Sequence, residues 1–222
     1  MSVETPYERE PGYALRYRDA RFQTGSGPRT DRRERMVLDL LLRDPRAPHG
    51  PWLDMPSGAG RLTAMLGETA VRADRDPEMV RAGGAAWPAV CAAGRALPFS
   101  DQAFAGVLCL RLMQHLRQAA ERIEVLRELR RVARQALVVS HFDACTLQHW
   151  RRCCRRLFGR PSHRVALSSR EFADELRAAG WTPVRSIPLL RFVSEQRLGL
   201  ALRETVSVAT PAGTRPEPAA RP

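Results

Sequence analysis

The chain contains no lysine: all 36 of its basic side chains are arginines, against 24 acidic ones, which gives a net charge of +12. Such a positive balance is typical of proteins with an anionic partner such as a nucleic acid, a phospholipid or a phosphorylated substrate. The complete exclusion of lysine also indicates a compositional bias, under which arginines collect on solvated surfaces without a partner. Net charge alone therefore does not distinguish a protein with an anionic partner from one whose arginines reflect only compositional bias.

Long hydrophobic runs are also missing. No stretch approaches the roughly 18 apolar residues of a membrane-spanning helix, so none is predicted. The first residues lack the basic and apolar regions of a secretory signal, and we therefore expect a cytoplasmic protein. Cysteine is scarce, with five irregularly spaced residues. Cys91 and Cys109 stand in apolar runs, where reduced core thiols are expected.

Four side chains of the kinds that bind metals recur at every fourth residue, at His141, Cys145, His149 and Cys153. On a helix each step rises about 6 Å, so Cys145 and Cys153 would stand about 12 Å apart. One zinc ion needs all of its ligands within about 2.3 Å. The pattern therefore predicts no metal site.

The length of 222 residues suits one α/β domain with a full core. Helical patterns near 60–67, 77–83 and 118–134 alternate with short apolar runs that are predicted strands. These strands are 51–54, 70–73, 89–92, 106–110 and 136–140. Such alternation is typical of a parallel sheet with helices on both faces.

The domain is predicted to span residues 31–208. Residues 1–30 form a polar segment before it, and residues 209–222, rich in proline, alanine and threonine, are predicted to be a disordered tail. The runs 181–188 and 191–202 are predicted to pair as an antiparallel hairpin. The helix over 118–134 is amphipathic, and its pairs Glu124/Arg127 and Glu128/Arg131 are predicted on the solvated face.

Two capping-box patterns mark the starts of further helices. Asp31 with Glu34 is the first, and Ser168 with Glu171 is the second. The second helix is predicted to end at Gly180, because glycine adopts the left-handed conformation that closes many helices.

A glycine-rich turn follows the first predicted strand, with the sequence LDMPSGAGR from Leu53 to Arg61. Gly58 and Gly60 let the main chain approach a ligand where a β-carbon would collide. The predicted helix behind the turn offers unpaired N–H groups at its start. A tight turn without a ligand is the alternative interpretation.

Asp74 ends the second predicted strand, twenty residues after Asp54. An acidic side chain at this place binds the ribose diol in nucleotide-binding α/β folds, because its two oxygens accept hydrogen bonds from two neighbouring hydroxyls. Asp76 and Pro77 then have the pattern of an N-cap and a first-turn proline. A plain loop aspartate is the alternative.

Four ordered segments within residues 50–140 resemble the motifs of class I S-adenosylmethionine-dependent methyltransferases. Asp54–Arg61 is similar to motif I, which is usually an acidic residue followed by Gly-x-Gly-x-Gly, and Asp74–Met79 is similar to the next motif. Leu97–Phe104, with the sequence LPFSDQAF, resembles the segment before strand four. Arg111–Leu116 resembles the end of that strand in small-molecule methyltransferases.

The resemblance implies a single Rossmann-like domain whose seven-stranded sheet is mostly parallel, with an antiparallel last strand and helices on both faces. It implies methyl transfer from S-adenosylmethionine, with residues 1–30 covering the cofactor site. Gly58 and Gly60 would contact the methionine part of the cofactor, and Asp74 would bind the ribose. The remaining residues that the resemblance places around the cofactor are Asp54, Pro56, Arg75, Met79, Leu97 and Arg111, of which Arg75 or Met79 would flank the adenine.

Three residues depart from the family pattern. Pro56 replaces the first glycine of motif I, so the turn has a fixed φ and lacks one N–H. Ala93 and Ala105 stand where the family usually has aspartates. These departures indicate reduced cofactor affinity, and they leave a catalytically silent binding module as an alternative to an enzyme.

Three residues at the predicted carboxyl edge of the sheet are candidates for a base that would take the proton of an acceptor hydroxyl. His115 follows strand four, and His141 and Asp143 follow strand five. Ligands bind at this edge in such folds, and each residue could take a proton near neutral pH. A hydrogen-bonded loop residue is the alternative for each.

A basic amphipathic helix is predicted within an insertion, residues 144–167, after strand five. Its apolar stripe is Leu147, Trp150, Cys154 and Leu157, and its flanking residues are Arg151, Arg152, Arg155 and Arg156. In the family this insertion often lines the acceptor site, which makes Trp150, Arg151 and Arg155 candidate substrate residues. Tyr17, in the N-terminal segment, is a further candidate. The pattern suits a small or lipid-like, anionic acceptor and peripheral contact with a membrane. A helix packed on the core, with solvated arginines, is the alternative.

RNA methylation is a further hypothesis, suggested by the charge. The sequence has no recognisable RNA-binding appendage and no Asn/Asp-Pro-Pro-Tyr motif for base amines. A nucleic acid partner is therefore not expected, and no oligomeric state is predicted.

Overall fold

The computed structural model describes residues 12–20, 22, 24–157 and 164–203. Seven strands lie in this part of the chain: β1 (Trp52–Asp54), β2 (Val71–Asp74), β3 (Ala89–Cys91), β4 (Phe104–Cys109), β5 (Ala133–Phe142), β6 (Trp181–Pro188) and β7 (Gln196–Arg203). They form one sheet with the order β3-β2-β1-β4-β5-β7-β6. The strands from β3 to β5 are parallel, and β7 is antiparallel to both of its neighbours. The predicted Rossmann-like fold is confirmed.

Six helices of the described part of the chain surround the sheet: α1 (Tyr13–Ala20), α2 (Gly27–Leu42), α3 (Pro77–Ala82), α4 (Ala119–Val132), α5 (Leu147–Leu157) and α6 (Ser169–Ala178). Two short 3-10 turns lie at Thr63–Leu66 and Met113–His115. No helix among the described residues is long and apolar enough to cross a membrane.

Two apolar cores separate the sheet from its helices. One holds Leu126 and Leu129 of α4 and Phe172 of α6 against the sheet, and the other holds Leu38 and Leu41 of α2 against the opposite face. Because β4 is covered on both sides, all six of its residues are buried. The alternation of strands and helices in the sequence therefore produces the layered packing that it predicts.

Of the two cysteines predicted to be core thiols, one is buried and the other, in the edge strand β3, is not. Cys109, in the central strand β4, is a buried thiol as expected, and burial raises its pKa. Cys91 is exposed, because β3 has a neighbour on one side only and its residues alternate between exposed and half-buried.

The capping predictions have different outcomes. The Ser168/Glu171 capping box opens α6 as predicted, and Gly180 follows that helix with a positive φ of 81°. The Asp31/Glu34 prediction is wrong, because α2 begins earlier, at Gly27, and both acids lie inside the helix. Their carboxylates instead contact arginines of other segments.

Other local predictions also need correction. The helix expected over 60–67 is a four-residue 3-10 turn, so it offers no α-helical N-terminus to a ligand. Strand β7 begins at Gln196 rather than at 191, although its antiparallel pairing with β6 is confirmed. The predicted tail 209–222 lies outside the described residues.

The pair Glu128/Arg131 is not simply solvated, as the helical pattern suggested. Its carboxylate accepts the Leu97 N–H at 2.7 Å, and its guanidinium donates to the carbonyls of Leu97 and Phe99 at 3.0 and 2.7 Å. This pair therefore fixes the Leu97–Phe99 segment to α4, and Leu97 is buried in the core.

Candidate cofactor and acceptor site

The first part of the site is the loop between β1 and the 3-10 turn, together with the end of β2. The Gly58 N–H donates a hydrogen bond of 2.8 Å to Asp74 Oδ2, and the Asp76 N–H donates one of 2.9 Å to the other carboxylate oxygen. Burial raises the pKa of Asp74, against the effect of these two bonds. The parallel register of β1 and β2 thus brings the glycine loop and the predicted ribose ligand together.

Gly58 and Gly60 are required for different reasons. Both have positive φ, 52° and 73°, which favours glycine. A β-carbon on Gly58 would meet nothing within 4 Å, so its side faces open space, as expected beside a ligand. A β-carbon on Gly60 would lie 3.2 Å from Arg72 Cδ. The described structure therefore gives Gly60 a packing role with Arg72.

Asp54 is fully buried beneath the loop. It accepts a hydrogen bond of 2.6 Å from Thr63 Oγ1 in the 3-10 turn. Burial raises the pKa of Asp54 to about 7, an effect that the Thr63 hydrogen bond opposes. The side chain therefore ties β1 to the turn, which agrees with the loop-holding role that the motif implies.

Arg72 of β2 extends under the same loop and is fully buried. Its Nη2 donates to the Gly84 carbonyl at 2.5 Å. A β-carbon on Gly83 would overlap its guanidinium. Arg72 thus fills the space between the glycine loop and the end of α3, and desolvation lowers its pKa.

Glu34 joins four segments and was not recognised as a site residue from the sequence. Its fully buried carboxylate accepts hydrogen bonds from Arg61 at 2.5 Å, from Arg111 at 2.8 Å and from Gln196 at 2.5 Å. Phe22 lies against both guanidinium groups, at 3.9 Å from Arg61 Cζ and 5.1 Å from Arg111 Cζ. The side chain of Arg111, a predicted cofactor residue, is therefore held by α2 in the structure.

The other predicted cofactor residues have mixed environments. Met79 is buried against Ala14 of α1 and Ala82, so α1 covers this part of α3. Arg75 is exposed and Pro56 is half-buried. Ala93, where the family has an acid, is exposed next to a tight turn closed by the Ala96 N–H and the Ala93 carbonyl.

The three candidate bases are not equivalent. His141 is buried, stacks on Phe172 with ring centroids 4.3 Å apart, and lines a cavity of about 200 Å³ beneath α6. Burial lowers its pKa to about 4, which weakens it as a base. Asp143 accepts hydrogen bonds from Arg197 at 3.1 Å and from the Cys145 N–H at 2.8 Å. His115 is exposed at the end of the 3-10 turn after β4.

A groove of about 450 Å³ lies beside α5, at the carboxyl edge of the sheet. Its lining is rich in arginine and contains Leu147, Gln148, Arg151, Arg152, Arg164, Val193 and Glu195. Arg152 forms an ion pair of 2.9 Å with Glu195, which is buried, and burial raises the pKa of Glu195. Arg151 is exposed. The groove therefore has an excess of positive charge.

The candidate substrate residues are placed only in part. Trp150 is 64% exposed and Leu147 is 41% exposed, so the apolar stripe of α5 is not packed on the core at these positions. The side chains of Tyr17 and Arg155 lie outside the described residues. The main chain of Gln114, next to His115, accepts the Val165 N–H at 2.8 Å, which brings the 3-10 turn beside Arg164 of the groove.

The family comparison agrees with this geometry. Residues 53–140, from β1 to β5, match the model of a family described as a methyltransferase domain. No curated protein sequence matches the chain.

Solved structures share the fold across most of the chain at low sequence identity. Magnesium protoporphyrin IX methyltransferase from Synechocystis PCC 6803, with bound SAH, has a TM-score of 0.67 and 16% identity and covers 87% of this chain and 94% of its own. A possible histamine N-methyltransferase from Thermotoga maritima has a TM-score of 0.62 and 14% identity, with coverage of 79% and 91%. A Burkholderia thailandensis 1,6-didemethyltoxoflavin-N1-methyltransferase has a TM-score of 0.54 and 19% identity, with coverage of 91% and 93%.

The cofactor residues fit S-adenosylmethionine. Gly58 leaves open space at the loop, and the Asp74 carboxylate stands at the end of β2, where a ribose diol is bound in such folds. The family match over residues 53–140 and the fold of the described residues both agree with a class I S-adenosylmethionine-dependent methyltransferase. S-adenosylmethionine is the cofactor that the family match and these residues support.

Proposed function

We propose that the protein transfers the methyl group of S-adenosylmethionine to a small-molecule acceptor that has an apolar body and an anionic group. The observation that supports this acceptor class is the arginine-rich groove beside α5. Three of its lining residues are arginines, and its one acid, Glu195, is buried and paired with Arg152. Leu147 and Val193 add apolar walls. The fully charged guanidinium groups suit a carboxylate or phosphate, with which they form paired hydrogen bonds.

The cofactor supplies an activated methyl group on a sulfonium, so the protein's contribution is mainly to place the acceptor. Holding two reactants in the attacking geometry is worth roughly 7–11 kcal/mol of the barrier. In the proposal, Asp74 and the Gly58 loop orient the cofactor, while Arg151 and Arg164 hold the anionic group. His115 takes the proton of an acceptor hydroxyl, since it is exposed at this edge whereas His141 and Asp143 are buried.

The decisive experiment uses a tritium-labelled methyl donor and pairs of acceptors that differ in one charge. Hydroxybenzoates and the matching hydroxybenzamides are such pairs. We expect the acids to have a kcat/KM at least about tenfold higher, since one hydrogen-bonded charge contributes about 1.5–3 kcal/mol. The preference should disappear in the double variant Arg151→Gln/Arg164→Gln, with the S-adenosylmethionine Kd unchanged.

Two control variants test whether the expected effects come from the arginines of the groove and from His115. Arg43→Gln removes an exposed arginine that directly follows α2 and should keep the preference. His115→Ala should lower kcat by about 100-fold, as for a general base, while His49→Ala, before β1, should not. Equal rates for acids and amides would contradict the anionic acceptor. Incorporation of label into an RNA transcript, and into none of the small molecules, would overturn the proposal.

A further inference from the structure

We infer that the surface formed by the N-terminal half of α5 and the β6–β7 turn, here called the α5 rim, docks onto an anionic lipid bilayer. The rim consists of Leu147, Trp150 and Arg151 of α5 and Leu190–Val193 of the turn. It stands at the carboxyl edge of the sheet, beside the groove. Leu147, Arg151 and Val193 of the rim also line the groove, but the proposed methyl transfer does not use Leu190 or Phe192.

Exposed apolar side chains concentrate on this rim. Among the described residues, eight large hydrophobic side chains are exposed, and five of them belong to the rim: Leu147, Trp150, Leu190, Phe192 and Val193. The other three lie on α1 and α2. Single exposed apolar residues are ordinary on a soluble protein, but a contiguous group marks a surface that contacts a partner or a membrane.

The two segments of the rim are fastened to each other. The Leu147 N–H donates to the Phe192 carbonyl at 3.0 Å, and the Gln148 N–H donates to the Val193 carbonyl at 3.1 Å. These bonds satisfy main-chain N–H groups at the start of α5, which have no partner within the helix. Helix and turn therefore present their apolar side chains as one surface.

The exposure and the backbone conformation of Phe192 are both unfavourable. Its side chain is 70% exposed, and its φ of 61° lies in the left-handed region, which is unfavourable for residues other than glycine. A glycine or asparagine would form the same turn without either cost. The combination indicates that the phenyl ring serves a contact outside the described structure.

Charge identifies the occupant as anionic. Residues 144–167 contain six arginines and no acidic residue, and residues 189–194 add Arg191 and again no acid. Arg191 Cζ lies 4.8 Å from the centre of the Phe192 ring, so a positive charge stands directly beside the exposed aromatic. Arginines next to tryptophan, phenylalanine and leucine are the composition that binds the boundary between anionic headgroups and acyl chains.

A bilayer fits this surface better than the other occupants. A second copy would bring one positively charged rim against another. An RNA would pair with the arginines but would gain little from Leu147, Leu190 and Val193, which a bilayer takes into its acyl region. If the proposed acceptor is lipid-like, docking would also bring the groove to the membrane; that corollary rests on the proposed function, whereas the docking does not.

The test is flotation of the full-length protein with vesicles of phosphatidylcholine alone or mixed with phosphatidylglycerol. We expect binding to the mixed vesicles only, weakening as salt rises, because exposed charges are screened within about 8 Å at physiological ionic strength. Leu190→Ser/Phe192→Gly should lower the partition coefficient at least about tenfold, as loss of two buried apolar side chains predicts. Arg191→Gln should lower it less, and most at low salt.

The double variant has an internal check. Glycine suits the φ of Phe192, so Phe192→Gly should unfold at an equal or higher urea concentration than the parent chain. Loss of vesicle binding by this single variant then does not come from misfolding, and the urea unfolding of the double variant is measured in the same way. Met36→Ser/Leu40→Ser, which removes side chains of α2 that are 57% and 44% exposed, should leave vesicle binding unchanged.

Several results would overturn the docking. One is failure of the parent chain to bind anionic vesicles, and another is equal vesicle binding by the parent and the Leu190→Ser/Phe192→Gly variant. A third is that the parent binds RNA or self-associates in place of binding vesicles, and that the variant loses this other interaction. The assay uses neither cofactor nor acceptor, so its failure leaves the proposed methyl transfer standing. Conversely, the rim variant should still methylate a water-soluble acceptor, because neither Leu190 nor Phe192 lines the groove.

Discussion

The main-chain N–H of Gly58 donates a hydrogen bond of 2.8 Å to the carboxylate of Asp74. One residue of the glycine loop is thus fixed by the side chain that is expected to hold the ribose. Loss of the carboxylate would remove a cofactor contact and also release the loop. The two halves of the cofactor site therefore depend on each other.

We predict that Asp74→Ala weakens S-adenosylmethionine binding about 10- to 100-fold, since a hydrogen bond to a charged group contributes roughly 1.5–3 kcal/mol. Isothermal titration calorimetry measures the change. Asp39→Ala, which removes an exposed carboxylate of α2, is the control and should bind normally. An unchanged Kd for the Asp74 variant, with a native circular dichroism spectrum, would reject the ribose assignment.

Gly58→Ala should abolish most cofactor binding at a modest cost in stability. Its β-carbon enters open space that the ligand would fill, and the positive φ costs roughly 1–2 kcal/mol. Gly25→Ala is a close match, because Gly25 has a φ of 58° and equally open surroundings but lies before α2. Both variants should lose similar stability to urea, and only Gly58→Ala should lose binding. Equal binding by the two would show that the loop does not contact the cofactor.

Asp54 predicts a particular dependence of stability on pH. Its folded pKa of about 7 exceeds the usual 3.8, so between these values the folded protein retains a proton that the unfolded chain has released. This group's contribution to the free energy of unfolding must then fall as pH rises through the window, by at most about 4 kcal/mol. Urea unfolding of the cofactor-free protein at several pH values should show a steeper decline in the parent than in Asp54→Asn. Parallel profiles would mean that Asp54 ionises normally.

Glu34→Gln should destabilise the protein by about 3 kcal/mol, because Arg61 and Arg111 would lose their shared buried counter-charge. Arg61 also contacts Asp31, which limits the loss on its side. Urea denaturation measures the effect, and Asp39→Ala on the same helix should change stability by less than about 0.5 kcal/mol. A loss as small as that of the control would mean that the arginines find other partners.

The sequence predicts best what depends on local pattern. The turn at Gly58 and the place of Asp74 at the end of β2 follow from a strand, a glycine pair and a second strand, all within about twenty residues. Positive φ at Gly58 and Gly60 is a second reason for glycine at these positions, which the sequence did not show. The seven-stranded sheet with its antiparallel last strand was predicted from the resemblance to the methyltransferase family.

Interactions between distant residues could not be predicted in the same way. Glu34 stands 77 residues from Arg111 and 162 from Gln196, and its spacing from Asp31 imitates a helix cap. The amphipathic pattern of α5 could not distinguish a stripe that faces the core from one that faces outward, since both have the same period. Exposure of Trp150 depends on where the β6–β7 turn holds the helix, which only the tertiary structure determines.

Arg72 has a consequence for how the cofactor is exchanged. Its buried guanidinium lies between the Gly60 turn and Gly83–Gly84, so it joins the loop to the end of α3. Turnover requires spent cofactor to leave and fresh cofactor to enter after every methyl transfer. We therefore expect the opening to involve α1, which rests on Met79 and Ala82 of α3 through small apolar contacts. The rate of product release is therefore expected to depend on how tightly α1 packs.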